Sequence, residues 1–258
     1  MSISIVKIGG NVIDEPKVLA KFLSDFASLP SPKVLVHGGG KLATRLSQKL
    51  EFPTRMIEGR RVTDAETLKV VTMVYAGLVN KQIIASLQSL GCNAIGLSGA
   101  DANIIPAKRR SATPIDYGFV GDIDPRDIHS DTIVTLLKSG ITPVFCALTH
   151  DGQGSMLNSN ADSVASALAV ALSAHDTAQL VYCFEQRGVL KDLNDPESLI
   201  SVITPDVYQD LRSQGIVSKG MIPKIDNAFN AIRQGVSSVV IKHSDNLKNN
   251  IGTTIKMS

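Results

Sequence analysis

The sequence predicts an α/β protein in which a parallel sheet is sandwiched between helices. Apolar, β-branched runs such as ISIVKI and KVLVH alternate with stretches of helical period. Two of these runs end directly in glycines, Gly9-Gly10 and Gly38-Gly39-Gly40, and a helical pattern follows each. Strand, helix, strand, helix in that order is the mark of a parallel sheet covered on both faces.

The elements follow in order. ISIVKI is the first strand. In DEPKVLAKFLSDFASL, Asp14 is placed to cap a helix, Pro16 suits its first turn, and Val18, Leu19, Phe22, Leu23 and Phe26 fall on one face. KVLVH is the second strand, and Leu42, Leu46 and Leu50 mark the helix after HGGGK. Residues 64–90 carry the longest helical pattern, with Leu68, Val71, Tyr75, Leu78, Val79, Ile83, Leu87 and Leu90 on one stripe and Gly91 as the stop. A helix so long suits the core first and a subunit interface second.

NAIGLS, IIPAKR and GFVGDI read as strands, the last two as a hairpin, and ITPVFCAL resumes the buried pattern. NADSVASALAVALSA is a helix whose many alanines let it lie close to a sheet. QLVYCF is a strand, TPDVYQDLRSQ and GMIPKIDNAFNAIRQG are helices, SSVVIK is a strand, and GTTIKM closes the chain as an edge strand. A soft boundary near 173–178 divides an N-terminal lobe, 1–175, from a C-terminal lobe, 176–258.

Composition narrows the function. The chain has 258 residues and 43% apolar content, enough for a sizeable core. Its 26 basic and 24 acidic residues leave a net charge of +2 without long runs of one sign, so no footprint for nucleic acid or anionic membrane stands out. Small molecules are the expected partners. Cys92, Cys146 and Cys183 lack metal-ligand spacing and read as reduced core thiols, and no apolar run approaches the roughly 20 residues of a membrane span. A cytoplasmic location is expected.

Lys7 is out of place in the buried run IVKIGGN. An unpaired buried ammonium is costly, so it either snorkels to solvent or meets an anion at the strand end. The two glycine turns lie where open α/β sheets bind ligands, and they let backbone N–H groups approach a phosphate; tight turns alone would also explain them. GGGKLA, residues 38–43, satisfies G-x-G-x-x-A and admits a dinucleotide-binding, NAD-linked dehydrogenase reading. The acid expected about 20 residues on is missing from a strand end. A Walker A loop fails because Leu42 follows Lys41 where Ser or Thr belongs.

Taken together, IVKIGGN, VHGGGK, EGRRVTD, GLSGADANII, NSNAD, GMIPKIDNA and GTTI, in this order, resemble the acetylglutamate kinases of the amino acid kinase family. The resemblance spans nearly the whole chain. It implies a three-layer αβα sandwich with about eight mainly parallel strands, and transfer of a phosphoryl group from ATP to the side-chain carboxylate of N-acetyl-L-glutamate, a step of arginine biosynthesis. Such a carboxylate, with a pKa of about 4.3, is already ionised at neutral pH, so no general base is needed. What the site must supply is alignment and neutralisation of charge.

By the same resemblance Lys7 and Lys224 stabilise the transferring phosphoryl group and Asp162 orients both. Read from the pattern alone, Lys224 could face water and Asp162 could serve only the start of its helix. The resemblance assigns Gly39, Gly40, Arg61, Asn158 and Asn160 to the acceptor, with Arg61 gripping its α-carboxylate and Arg60 facing solvent. Gly9, Gly10, Glu185, Gly188, Ser218, Gly220 and Met221 are assigned to the nucleotide. Mg2+ is expected on ATP oxygens, with no dedicated protein metal site.

Two stretches depart from the family pattern. Ala100 stands where lysine is usual, and CFEQRGVL replaces the usual nucleotide loop, bringing Glu185 and Arg187. With the basic residues at 108–110, Ala100 leaves N-succinyl-L-glutamate open as the acceptor. A non-catalytic amino-acid or nucleotide sensor on the same fold is the remoter alternative. The first strand begins almost at Met1, without the N-terminal helix of arginine-inhibited hexamers, so a homodimer insensitive to arginine is expected.

Overall fold

The protein is described from a computed structural model covering residues 2–192, 194–217 and 221–258. β1 (Ser2–Ile8) runs through α1 (Gly10–Asp14) and α2 (Pro16–Ser28) to β2 (Lys33–His37), followed by α3 (Gly40–Lys49). The hairpin β3 (Met56–Ile57) and β4 (Arg60–Arg61) precedes one continuous helix, Ala65–Ser89, in which α4 (Ala65–Thr72) and α5 (Asn80–Ser89) flank a π-helical stretch, Met73–Val79. Next come β5 (Ala94–Leu97), the hairpin β6 (Lys108–Arg109) and β7 (Gly121–Asp122), α6 (Ser130–Lys138) and β8 (Thr142–Cys146). The hairpin β9 (Leu148–His150) and β10 (Met156–Asn158) leads into α7 (Ala161–Ser173) and β11 (Thr177–Phe184). β12 (Val202–Ile203), α8 (Pro205–Ser213), α9 (Ile222–Arg233), β13 (Ser238–His243) and β14 (Thr253–Ile255) complete the chain.

Eight strands form the central sheet in the order β12-β14-β13-β11-β1-β2-β8-β5, and every adjacent pair is parallel except β13 with β14. Because side chains alternate along a strand, each face has its own core. Ile3 and Ile5 face α7, where Val164, Ala165, Leu168, Ala169 and Leu172 are buried, together with Ile225, Phe229 and Ile232 of α9. Val6 and Ile8 belong to the opposite layer with Phe22, Phe26, Val71, Ile83 and Leu87. Alternation therefore places Lys7 on the α7 side, at the carboxyl end of its strand.

The structure corrects several local expectations. Asp14 does not cap the following helix, whose N-cap is Glu15; its carboxylate instead takes the Arg45 guanidinium at 2.7 Å. Val18 and Leu50 are exposed, as are Leu78 and Leu90 of the long helix. β14 is not the edge strand, because β12 pairs outside it. Ala65–Ser89 is long and apolar enough to cross a membrane by length and composition, although no such run was expected; its buried face packs on the sheet. α6 and the β9–β10 hairpin were not anticipated, whereas the β6–β7 hairpin lies where the sequence put it.

Candidate active site

Parallel strands bring their carboxyl ends to one edge of the sheet, and two adjoining cavities open there. The first, of about 420 Å³, is lined by Gly38, Gly39, Gly40, Arg61, Tyr75 and Asn158 among others. The second, of about 290 Å³, is lined by Lys7, Gly9, Gly10, Lys41, Asp162, Glu185 and Lys224 among others. Gly40 and Ala161 border one cavity while their neighbours Lys41 and Asp162 border the other, so the two share a wall.

Arg61 is buried at the end of its short strand. Its Nη2 donates to the Gly40 carbonyl at 2.9 Å and to Thr44 Oγ1 at 2.7 Å, while Nη1 is buried without a hydrogen-bond partner. A buried donor left unpaired is costly, and a ligand carboxylate in the first cavity would satisfy it. Asn158, also buried, donates through Nδ2 to Thr63 Oγ1 at 3.0 Å, and that hydroxyl donates to the Arg61 carbonyl at 3.1 Å. Thr63 thus ties the two residues together. A Cβ on Gly39 would lie 2.9 Å from Tyr75 Cδ1, so only glycine lets this turn approach the long helix.

At the second cavity Lys7 Nζ lies 2.7 Å from Asp162 Oδ1. Asn160 caps α7, its Oδ1 accepting from the backbone N–H groups of Asp162 at 2.8 Å and Ser163 at 3.1 Å, and so fixes the turn that carries Asp162. Lys224, on the first turn of α9, places Nζ 4.2 Å from the centroid of the Phe184 ring. The Met221 carbonyl accepts from the Lys224 N–H at 3.0 Å at the start of that helix. Tyr182 also lines the cavity, and burial raises its phenol well above the ordinary range.

Gly9 donates its N–H to the Cys183 carbonyl at 2.8 Å, and a Cβ there would sit 3.2 Å from Phe184 Cβ; Gly10 is open to the cavity. Gly188 packs instead against Thr253, away from the residues that line the second cavity. Arg187 pairs with Glu197 at 2.8 Å. Ser218 and Gly220 lie outside the described residues. Ala100 does not border the first cavity, but Arg110 and the exposed Arg60 do; Arg110 is paired through its guanidinium with Asp122. Thr63, Tyr75, Lys41 and Phe184 were not singled out for the site from the sequence. The signal available for Tyr75 was a polar-tipped ring on an otherwise aliphatic stripe.

Glycine turns at the ends of parallel strands, a lysine paired with a carboxylate, a second lysine on the same cavity and a buried arginine lining an adjoining one define a site for anionic small molecules. The chain belongs to the amino acid kinase family, whose model matches residues 2–243. Within that family it is 59% identical over 244 residues to the acetylglutamate kinase of Cytophaga hutchinsonii, covering 94% of this chain and 92% of the relative. It is 50% identical over 254 residues to that of Phocaeicola vulgatus, covering 98% of each. Among solved structures, smu.665 from Streptococcus mutans UA159 matches with a TM-score of 0.78 at 29% identity over 99% of both chains. Carbamate kinase from Giardia lamblia shares the fold, with a TM-score of 0.68 at 13% identity over 100% of this chain and 98% of its own.

Proposed function

We infer that the chain is an ATP-dependent kinase that phosphorylates the side-chain carboxylate of N-acetyl-L-glutamate, a step of arginine biosynthesis. The observation that carries this reading is the buried Arg61 guanidinium, its Nη1 without a hydrogen-bond partner, on the lining of a cavity that shares a wall with the lysine-lined one. The near-full-length likeness to acetylglutamate kinases supports the choice of acceptor.

In the proposed mechanism Arg61 binds the α-carboxylate, and Asn158, Asn160 and the Gly39-Gly40 backbone orient the rest of the acceptor. A side-chain carboxylate oxygen attacks the γ-phosphorus, a P–O bond forms, and the bond to the β-phosphate bridge oxygen breaks, so ADP leaves with the electron pair. No proton moves. Lys7 and Lys224 neutralise charge on the transferring oxygens, and Asp162 holds Lys7 in place. Gly9, Gly10 and Glu185 face the phosphates, and Met221 and Gly188 belong to the nucleotide side.

The reading takes Mg2+ to be carried chiefly by ATP oxygens, with Glu185, which lines the cavity of Lys7 and Lys224, as a carboxylate close to hand. When bound, the ion would neutralise phosphate charge. The reading includes a cytoplasmic enzyme acting as a homodimer, with acceptor binding in residues 1–175 and nucleotide binding in 176–258.

N-succinyl-L-glutamate is the second reading, favoured by Arg110 and Arg60 on the acceptor cavity, which could meet a second carboxylate. Trapping the acyl phosphate with hydroxylamine, using each acylglutamate in turn, tests both. Hydroxamate from the acetyl compound is the expected result. Faster turnover of the succinyl compound would move the assignment to it, and no product from either would overturn the kinase reading.

A further inference from the structure

Lys41 follows the second glycine turn and belongs to none of the roles assigned above. β1 and β2 are neighbours in the sheet, so the helices that leave them start side by side, and the residues just past the glycines, Asn11 and Lys41, meet. The Lys41 ammonium donates to Asn11 Oδ1. It also lies 3.9 Å from Asp14 Oδ2, an oxygen that is buried without a hydrogen-bond partner, while Asp14 Oδ1 takes Arg45. The Asp14 side chain is only 9% exposed and that of Lys41 62%. An anchored carboxylate and one amide thus restrain a solvent-facing cation, and an ammonium with three donors keeps two for a ligand.

Its position decides which ligand. Lys41 lines the cavity that holds Lys7, Lys224, Asp162 and Glu185, and Gly40 before it lines the acceptor cavity. Three ammonium groups against two carboxylates leave that cavity with an excess of positive charge, suited to a polyphosphate. At the shared wall the nearest phosphate is the one about to be transferred. We propose that Lys41, held by Asn11 and Asp14, is a third phosphate-binding cation that engages the terminal phosphoryl group of the nucleotide.

This rests on the kinase reading, and the experiment separates the two. Titration calorimetry with Mg2+ compares the β,γ-imido analogue of ATP with ADP on wild type, Lys41→Gln, Lys41→Arg and Asn11→Ala. Lys41→Gln is expected to weaken the imido analogue roughly tenfold and ADP less than twofold. Lys41→Arg restores most of the difference, and Asn11→Ala gives an intermediate loss. Equal weakening of both nucleotides by Lys41→Gln, or no weakening of the analogue, overturns the assignment while leaving the kinase reading intact. Wild-type protein that bound neither nucleotide would overturn both.

Discussion

His37 ends β2 wholly buried, directly before the glycine turn. Its Nδ1 donates to the Gly38 carbonyl at 2.8 Å, and its Nε2 accepts from Asn80 Nδ2 at 3.0 Å, which fits a neutral ring. Burial is the main reason its pKa falls from 6.5 to about 4. The unfolded chain therefore takes up a proton that the folded one refuses, so this contribution to stability is complete above about pH 6.5 and is lost as pH falls toward 4. Urea unfolding is expected to show a loss of about 2 kcal/mol between pH 7 and pH 5 from this group. His37→Gln should flatten that slope; an unchanged slope would assign it to other groups. Residues such as Lys7 and Arg61 were legible in the sequence because their charge breaks an apolar run or fits a dense motif. Tyr75 and Lys41 were not, because each reaches a cavity only when segments distant in the chain come together, and Thr63 was not, because it acts from behind the cavity through its bonds to Arg61 and Asn158.

At the scale of elements, α7 joins packing to the site. Small residues on several sides bury it against the sheet, and its cap fixes the turn that carries Asp162. Asn160→Ala should lower the melting temperature by about 2–4 °C, as expected for losing a cap worth about 1 kcal/mol, and should also reduce kcat. Asn160→Ser, which can still cap, should recover the melting temperature; scanning calorimetry with steady-state assays checks both. Strands and long helices were legible from period and glycine punctuation. The β9–β10 hairpin escaped because THDGQGSMLN offers no sustained alternation, and the inward placement of Leu78 failed because the π-helical stretch shifts the phase of the stripe after α4.

For the whole molecule, a parallel sheet with helices on both sides could be read from the order of elements. The arrangement β12-β14-β13 could not, since the pairing of β12 with β14 joins segments about 50 residues apart that no local pattern encodes. Met73 and Leu78 of the long helix are about half exposed, and the proposed homodimer would cover them with a second copy of the chain. Sedimentation equilibrium is expected to give a mass near twice the 27.5 kDa of one chain, and Leu78→Glu to return it to one. A single-chain mass for the wild type would remove the homodimer from the proposal.

The wide turns between Met73 and Val79 also govern tolerance to change in chain length. Elsewhere in an α-helix, excising one residue swings everything downstream by about 100°. Here excision could tighten the coil to ordinary pitch while both flanks keep their facing, with Asn80 still beneath the imidazole of His37. Loss of a single residue is therefore most easily absorbed within this stretch.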